Sequence, residues 1–315
     1  MKPHTTRAYN SFRIDNDSSK IVKFSPTSRL KDEICYYLKI KNTSLRHFFP
    51  RVFSYNKKQS PYELELEYYD YDDLGLYMIE PCKHEFDWRE IARRLVSSLN
   101  SFRGVLLPSA LSPQKIKREM YIDKTLHYQR DLIENFTFFT KLDKEKELTV
   151  NGEKILNFNL IWEPIKNLIE ETLINDNPLS IIHGDMCFSN ILCSKRKNVL
   201  RFIDPRGRFG NQGIVGDPLY DIAKLIHSFD GCYEYIINDK FEINQLSANS
   251  FNFSFNNENH KLIKDVFLDY PEFKSANVNL IQGLIFIGMC SRHYDSLDRQ
   301  IVMYLTGLKI LNKLL

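Results

Sequence analysis

The chain has 315 residues, enough for one large domain or two coupled lobes. With 43% hydrophobic and 26% charged residues and a net charge of only +3, it reads as an ordinary globular protein with no basic stripe for nucleic acid. The six cysteines lie apart with no Cys-x-x-Cys pair, which speaks against a zinc or disulfide framework. The start is polar and no apolar run is long enough to cross a bilayer, so a cytoplasmic protein without a signal peptide or membrane span is the expectation.

Two short strands are expected first, Ser11 to Ile14 and Lys20 to Phe24, around the turn Asp15-Asn16-Asp17-Ser18. On the second strand Ile21 and Lys23 share one face. A lysine on a strand under a hairpin can reach the α- and β-phosphates of a nucleotide. Lys20 is its rival for that role, and a solvated strand lysine is the bland alternative. Ser28 to Ile40 follows with Leu30, Ile34, Tyr37 and Leu38 at helical spacing, and Glu33 on that helix is placed to pair with Lys23. Pro61 to Tyr69 alternates Tyr62, Leu64 and Leu66 with glutamates, a half-buried strand by its period of two. The Tyr- and Asp-rich stretch from Tyr68 to Leu74 then reads as a link.

Beyond the link the chain turns helical. Asp87 and Glu90 form a capping box for a helix with the stripe Trp88, Ile91, Leu95, Leu99 and Phe102, stopped by Gly104. Residues 113 to 139 and Phe158 to Ile174 are further helical regions, with Pro164 tolerable in a first turn. Asn249 to Asn259 is polar and reads as a loop. Leu280 to His293 and Leu297 to Leu314 read as closing helices, and His293-Tyr294-Asp295 between them is placed either to line an acceptor pocket or simply to cap and pack. Taken together, a small β-rich lobe spans residues 1–72 and a larger helical lobe spans 73–315, an α+β, bilobal arrangement with a nucleotide site between the two.

The densest chemistry lies in Ile181-Ile182-His183-Gly184-Asp185-Met186-Cys187-Phe188-Ser189-Asn190, with Phe202-Ile203-Asp204-Pro205 downstream. Asn190 opens one short apolar run and Asp204 closes another, with the polar turn Ser194 to Asn198 between them. A hairpin of this kind sets Asn190 and Asp204 at its open mouth, with Asp185 in the loop just before. An Asn oxygen and a carboxylate that converge suit Mg²⁺, which takes its other ligands from phosphates and water. A carboxylate held off the metal can accept the proton of an attacking hydroxyl. A polar loop capping a buried hairpin is the alternative.

This pattern, with Gly216-Asp217-Pro218-Leu219-Tyr220-Asp221-Ile222-Ala223 after it, resembles the aminoglycoside phosphotransferase and choline/ethanolamine kinase superfamily, which has a protein-kinase-like fold. The resemblance implies that Asp185 is the catalytic base and that Asn190 and Asp204 hold Mg²⁺ on ATP. It makes His183 a structural residue of the catalytic loop and expects the Lys23–Glu33 pair. It places the adenine against the backbone of Glu67 to Tyr69, with an ordinary edge strand as the equal alternative there. No glycine precedes Gly75, so no Gly-rich phosphate loop exists, and Tyr9-Asn10-Ser11 must serve as the hairpin tip over the phosphates. Asp217 is expected to cap a helix starting at Pro218 and to brace the catalytic loop, with Asp221 one turn on. Arg206 and Arg208 are placed to bind an anionic substrate group or steady Asp185, or else are solvated.

Three functions from different classes compete. The first is a kinase that phosphorylates a hydroxyl of a sugar, amino sugar or amino alcohol, with ATP or GTP as donor. The Asp204-Pro-Arg-Gly string gives an analogy to phosphotransferases of bacterial surface-polysaccharide or lipid head-group metabolism. The second is a nucleotide-binding pseudokinase or scaffold, supported by the missing glycine loop. The third is a metal-dependent phosphohydrolase using His183, Asp185 and Asp204 as ligands. The acceptor and the oligomeric state are not readable from the residues.

Overall fold

A computed structural model describes residues 11–15, 19–80, 87–105, 112–194, 199–209, 213–256 and 260–315. The N-terminal part is a four-stranded sheet backed by one helix. Strands β1 (Ser11–Asp15) and β2 (Lys20–Ser25) precede helix α1 (Arg29–Ile40), and β3 (Val52–Asn56) and β4 (Tyr62–Glu67) follow it, in spatial order β1-β2-β4-β3. The alternation of Leu64 and Leu66 with glutamates buries both leucines in the same core as Leu30, Ile34 and Tyr37 of α1.

Strand β5 (Asp72–Asp73) pairs with a strand of the second half, so the chain crosses over between Glu67 and Asp72. Helices α2 (Leu74–Ile79), α3 (Trp88–Arg103) and α4 (Pro113–Arg118) come next. Asp87 caps α3 by accepting from the Arg89 and Glu90 amides, while Glu90 turns to Arg93 and Arg94 rather than back to the cap. A π-helical turn (Glu119–Asp123) joins α4 to α5 (Lys124–Asn135), and α6 (Thr137–Leu142) follows. Strands β6 (Glu147–Val150) and β7 (Glu153–Leu156) lead into α7 (Phe158–Thr172). Pro164 lies inside α7 beyond the first turn, opposite the chain's exposed Leu160 one turn back, where water can replace the missing hydrogen bond.

The segment that carries His183, Asp185, Asn190 and Asp204 is framed by β8 (Ser180–Ile181), β9 (Ile191–Ser194), β10 (Val199–Phe202) and β11 (Val215–Gly216). Helices α8 (Leu219–Phe229) and α9 (Tyr233–Ile237), strands β12 (Phe241–Ser247) and β13 (Ser250–Phe255), and helices α10 (His260–Leu268), α11 (Ala276–Met289) and α12 (Leu297–Asn312) complete the molecule. The expected loop over 249 to 259 is therefore corrected to a strand over most of its length. Phe251, Phe253 and Phe255 alternate with Asn and Ser, a period-two pattern hidden by polar composition, and Phe251 is fully buried. β13 joins β6 in a sheet ordered β12-β13-β6-β7. Among the described residues, no helix is long and apolar enough to cross a membrane.

Candidate active site

Strands β9 and β10 pair antiparallel with Ile191 opposite Phe202, and the Ile203 amide donates to the Asn190 carbonyl at 3.0 Å. Asn190 and Asp204 thus stand together at the hairpin mouth, as the spacing of the apolar runs requires. The Asn190 amide nitrogen donates to the Asp185 carbonyl at 2.8 Å, which leaves the side-chain oxygen as its acceptor toward the cleft. Asp204 takes a left-handed backbone conformation (φ 55°), which a non-glycine residue holds only where its surroundings impose it. All three side chains, Asp185, Asn190 and Asp204, line one cavity of about 1220 Å³.

Lys23 reaches this site from β2. Its Nζ lies 2.7 Å from Glu33 Oε2 on α1 and 2.8 Å from Asp204 Oδ1. Burial alone would lower the Lys23 ammonium, but the carboxylates of Asp204 and Glu33 outweigh it and hold the group above the ordinary lysine range. Lys20, three residues away and so on the opposite face of β2, pairs instead with Glu65 and lies over the Phe53 ring. Ser11 sits exposed at the start of β1 opposite Phe24, next to Phe12, which lines the cleft; Asn10 lies outside the described residues. Glu67 and Tyr69 both line the cavity at the crossover, and the Tyr69 hydroxyl donates to Glu67 at 2.7 Å.

The loop carrying Asp185 is fixed from behind. His183 is fully buried, stacked on Phe49 with ring centroids 5.9 Å apart. Its Nδ1 accepts from the Asp185 amide, so Nε2 carries the hydrogen and donates to the Ile203 carbonyl. Burial pushes its pKa down to about 4, and the ring is neutral. Asp221 accepts from the His183 and Gly184 amides at 2.7 and 2.8 Å, and burial, resisted by those two bonds, raises its carboxyl to about 7. The brace for the loop that carries Asp185 is therefore Asp221. Asp217, expected in that role, instead accepts from the Tyr121 hydroxyl and the Leu219 amide, because it stands ahead of α8, whose first turn is reached only at Leu219. The Arg206 amide donates to the His183 carbonyl, and its guanidinium reaches the Tyr220 hydroxyl at 3.4 Å. Gly207 (φ 66°) presses on α1: a Cβ there would stand 2.0 Å from the Asp32 carbonyl oxygen.

One residue escaped the reading of the sequence. Lys224 of α8, 2% exposed, places Nζ 2.9 Å from Asp185 Oδ1 and rests over the Tyr233 ring. Burial pulls its ammonium down, but Asp185 beside it prevails and holds it above the usual lysine range. Asp221 and Lys224 are three apart on one helix, so α8 secures the loop's backbone with one side chain and the Asp185 carboxylate with the other. The available signal was a lysine inside Leu219-Tyr220-Asp221-Ile222-Ala223-Lys224-Leu225-Ile226, a run too apolar to face water.

No family model and no curated protein matches the chain. Solved structures do. Aminoglycoside phosphotransferase APH(4)-Ia superposes with a TM-score of 0.60 at 9% identity, over 98% of this chain and 91% of that one. ADP-bound APH(2'')-Ib gives 0.53 at 15% identity over 98% and 92%. The streptomycin–ATP complex of APH(2")-IIa gives 0.51 at 16% over 98% and 89%. Sequence identity this low speaks to architecture alone. The chain has the two-lobed, protein-kinase-like fold of the aminoglycoside phosphotransferases.

Proposed function

We propose that this protein is a small-molecule kinase that transfers the γ-phosphoryl group of MgATP, or of GTP, to a hydroxyl of a sugar, amino sugar or amino alcohol. The observation that carries the reading is the convergence of Asp185, Asn190, Asp204 and the Lys23–Glu33 pair on one cavity between the lobes. Ile21 and Leu66 on one side and Leu192 and Ile203 on the other give that cavity apolar walls fit for a purine beside Glu67 to Tyr69. An amide oxygen and a carboxylate at the hairpin mouth match the sparse oxygen set that Mg²⁺ takes when phosphates supply the rest, so Asn190 and Asp204 would hold it. The metal would neutralise charge on the β- and γ-phosphates.

In this scheme Lys23, held by Glu33, exchanges its contact with Asp204 for a phosphate oxygen. Asp185 orients the acceptor hydroxyl. As the new P–O bond forms and the bond to the β–γ bridging oxygen breaks, the hydroxyl proton passes to Asp185 and the nucleoside diphosphate leaves. Lys224 fixes which way the Asp185 carboxylate points. Catalysis is then mainly positioning and charge neutralisation. A place in surface-polysaccharide or head-group metabolism rests on the Asp204-Pro205-Arg206-Gly207 analogy.

The test is nucleotide turnover across a panel of sugars, amino alcohols, nucleosides and aminoglycosides, with wild type and Asp185→Asn. Acceptor-dependent diphosphate release that disappears in Asp185→Asn supports the kinase. Nucleotide binding with no turnover on any acceptor supports the scaffold instead, and phosphate release from phosphoesters without nucleotide supports the hydrolase.

A further inference from the structure

Past Asp185 the cavity continues into the helical lobe, where its floor is apolar: Ile281, Leu284, Ile285 and Met289 of α11 line it. Its walls are cationic. Lys124 opens α5 immediately after the π-helical turn, a wide turn that often marks a functional site and that also puts Met120 and Tyr121 on the cavity wall. Lys124 Nζ lies 3.1 Å from the Tyr220 hydroxyl, and the Arg206 guanidinium approaches the same hydroxyl at 3.4 Å. One turn along α5, Tyr128 is bonded through its hydroxyl to Arg292, whose guanidinium also lies over the ring at 4.4 Å. Lys224 completes the group on α8.

Four basic side chains from four separate parts of the chain therefore surround the space that an acceptor would fill. Asp185 lies among them, held by Lys224 at 2.9 Å, and Asp32 on the same cavity wall feels the charges of Arg208 and Arg206. Of the other acids along the wall, Asp295 is held by Arg299, Asp123 is an exposed residue that also lines the cavity, and Glu119 stands at the start of the π-turn. Burial lowers the Lys124 ammonium well below the ordinary lysine range, and Arg206, Arg292 and Lys224 push the same way while Asp185 opposes them. Like charges gathered in a half-closed cleft repel one another, and a bound anion would remove that cost. Two guanidiniums and an ammonium also offer the forked and point-charge donors that recognise carboxylate and phosphate.

We propose that the acceptor is itself an anion: a hydroxyl compound bearing a carboxylate or phosphate, seated by Lys124, Arg206 and Arg292 with its apolar face on α11. This rests on the kinase reading for the fate of the hydroxyl and narrows that reading away from amino alcohols and aminoglycosides, whose positive charge the same walls repel.

The test uses the full chain loaded with MgAMPPNP, so that the donor phosphate site is filled, and four matched hexoses: glucose, glucosamine, glucuronate and glucose 6-phosphate. Binding is read by titration calorimetry. At least one of the two acids should bind about tenfold or more tighter than glucose, the scale of one hydrogen bond to a charged group, and glucosamine should be weakest. Comparing glucuronate with glucose 6-phosphate says which anion the site prefers. Lys124→Met should erase the preference, Lys124→Arg keep it, and Lys124→Glu turn it toward glucosamine. Equal or absent binding of the acids, or an acid preference unchanged in Lys124→Met, overturns the proposal. So does a Lys124→Met variant altered only in its KM for MgATP, which would assign these cations to the donor. Asp185→Asn keeps the two readings apart: acid binding retained in it, with wild type inert on every acceptor, would sink the kinase and leave the anion site standing.

Discussion

Lys23 and Lys224 are both buried, and each holds one of the two cleft aspartates, yet they are built differently. Lys23 stands on a strand and divides its ammonium between Glu33 and Asp204, and the Asp204 side chain is 43% exposed. One of its two partners can be given up to an entering phosphate while the other keeps the charge in place. Lys224 stands in a helix buried from Tyr220 to Phe229, with Asp185 as its carboxylate partner among the described residues and an aromatic ring beneath it. It has nothing to exchange. The Asp204 side of the cleft is arranged so that a contact can be swapped, whereas the other side is arranged to keep Asp185 still.

The sharpest way to break that contrast is at Asp185. Asp185→Asn should lower phosphoryl transfer about 10³-fold or more. It also strands the Lys224 charge in the interior, so denaturant unfolding should show a loss on the order of 3 kcal/mol. Adding Lys224→Met to Asp185→Asn should restore most of the stability and none of the activity. Stability unchanged in the single variant would show that Lys224 does not depend on Asp185.

Lys23→Met should cost about 10²-fold in kcat/KM for the nucleotide, as loss of a phosphate-binding charge, with little change in acceptor KM. An effect confined to the acceptor would reverse the assignment of the two sides. Gly207→Ala touches neither lysine directly. It forces a side chain into the Asp32 carbonyl from a left-handed backbone, so a loss of about 2 kcal/mol or more in unfolding free energy is expected. Activity should fall with it, because the segment after Asp204 no longer seats on α1.

The smallest effect concerns pH. The Asp221 carboxyl, raised by burial to about 7 from an ordinary 3.8, keeps its proton in the folded chain where the unfolded chain has lost it. Its contribution to stability is thus complete below about pH 4 and is lost as pH rises through about 7. The stability margin of wild type over Asp221→Asn should shrink across that window in thermal unfolding. A margin that grows with pH would mean that the two amide bonds, not burial, govern the carboxyl. His183 runs the other way: lowered to about 4 from 6.5, it supports the fold above pH 6.5 and loses that contribution as pH falls toward 4.

Much of the site around Asn190, Asp204 and Lys23 was legible because it is local. The hairpin that joins Asn190 to Asp204 is written in two apolar runs and a polar turn, and Lys23 and Glu33 are ten residues apart on adjoining elements. The wall beyond Asp185 is assembled from distant parts. Lys124, Arg206, Lys224 and Arg292 meet only because α5, the segment after β10, α8 and α11 with its following turn pack together, and no spacing along the chain records that. The exchange of roles between Asp217 and Asp221 has the same origin. Asp217 stands just ahead of α8 and takes Tyr121 and the Leu219 amide, while Asp221 inside the first turn holds the loop, a division of roles that depends on packing rather than spacing.

On the proposed function, Asn190 and Asp204 would hold the metal of a nucleotide complex, and Asp185 would stand beside it without binding it. Electron paramagnetic resonance of Mn²⁺ bound with AMPPNP measures this directly. Wild type and Asp185→Asn should bind the Mn²⁺–nucleotide complex with similar affinity, while Asp204→Ala, and to a lesser extent Asn190→Ala, should lose it. Binding that survives Asp204→Ala, or that vanishes in Asp185→Asn, would contradict the account.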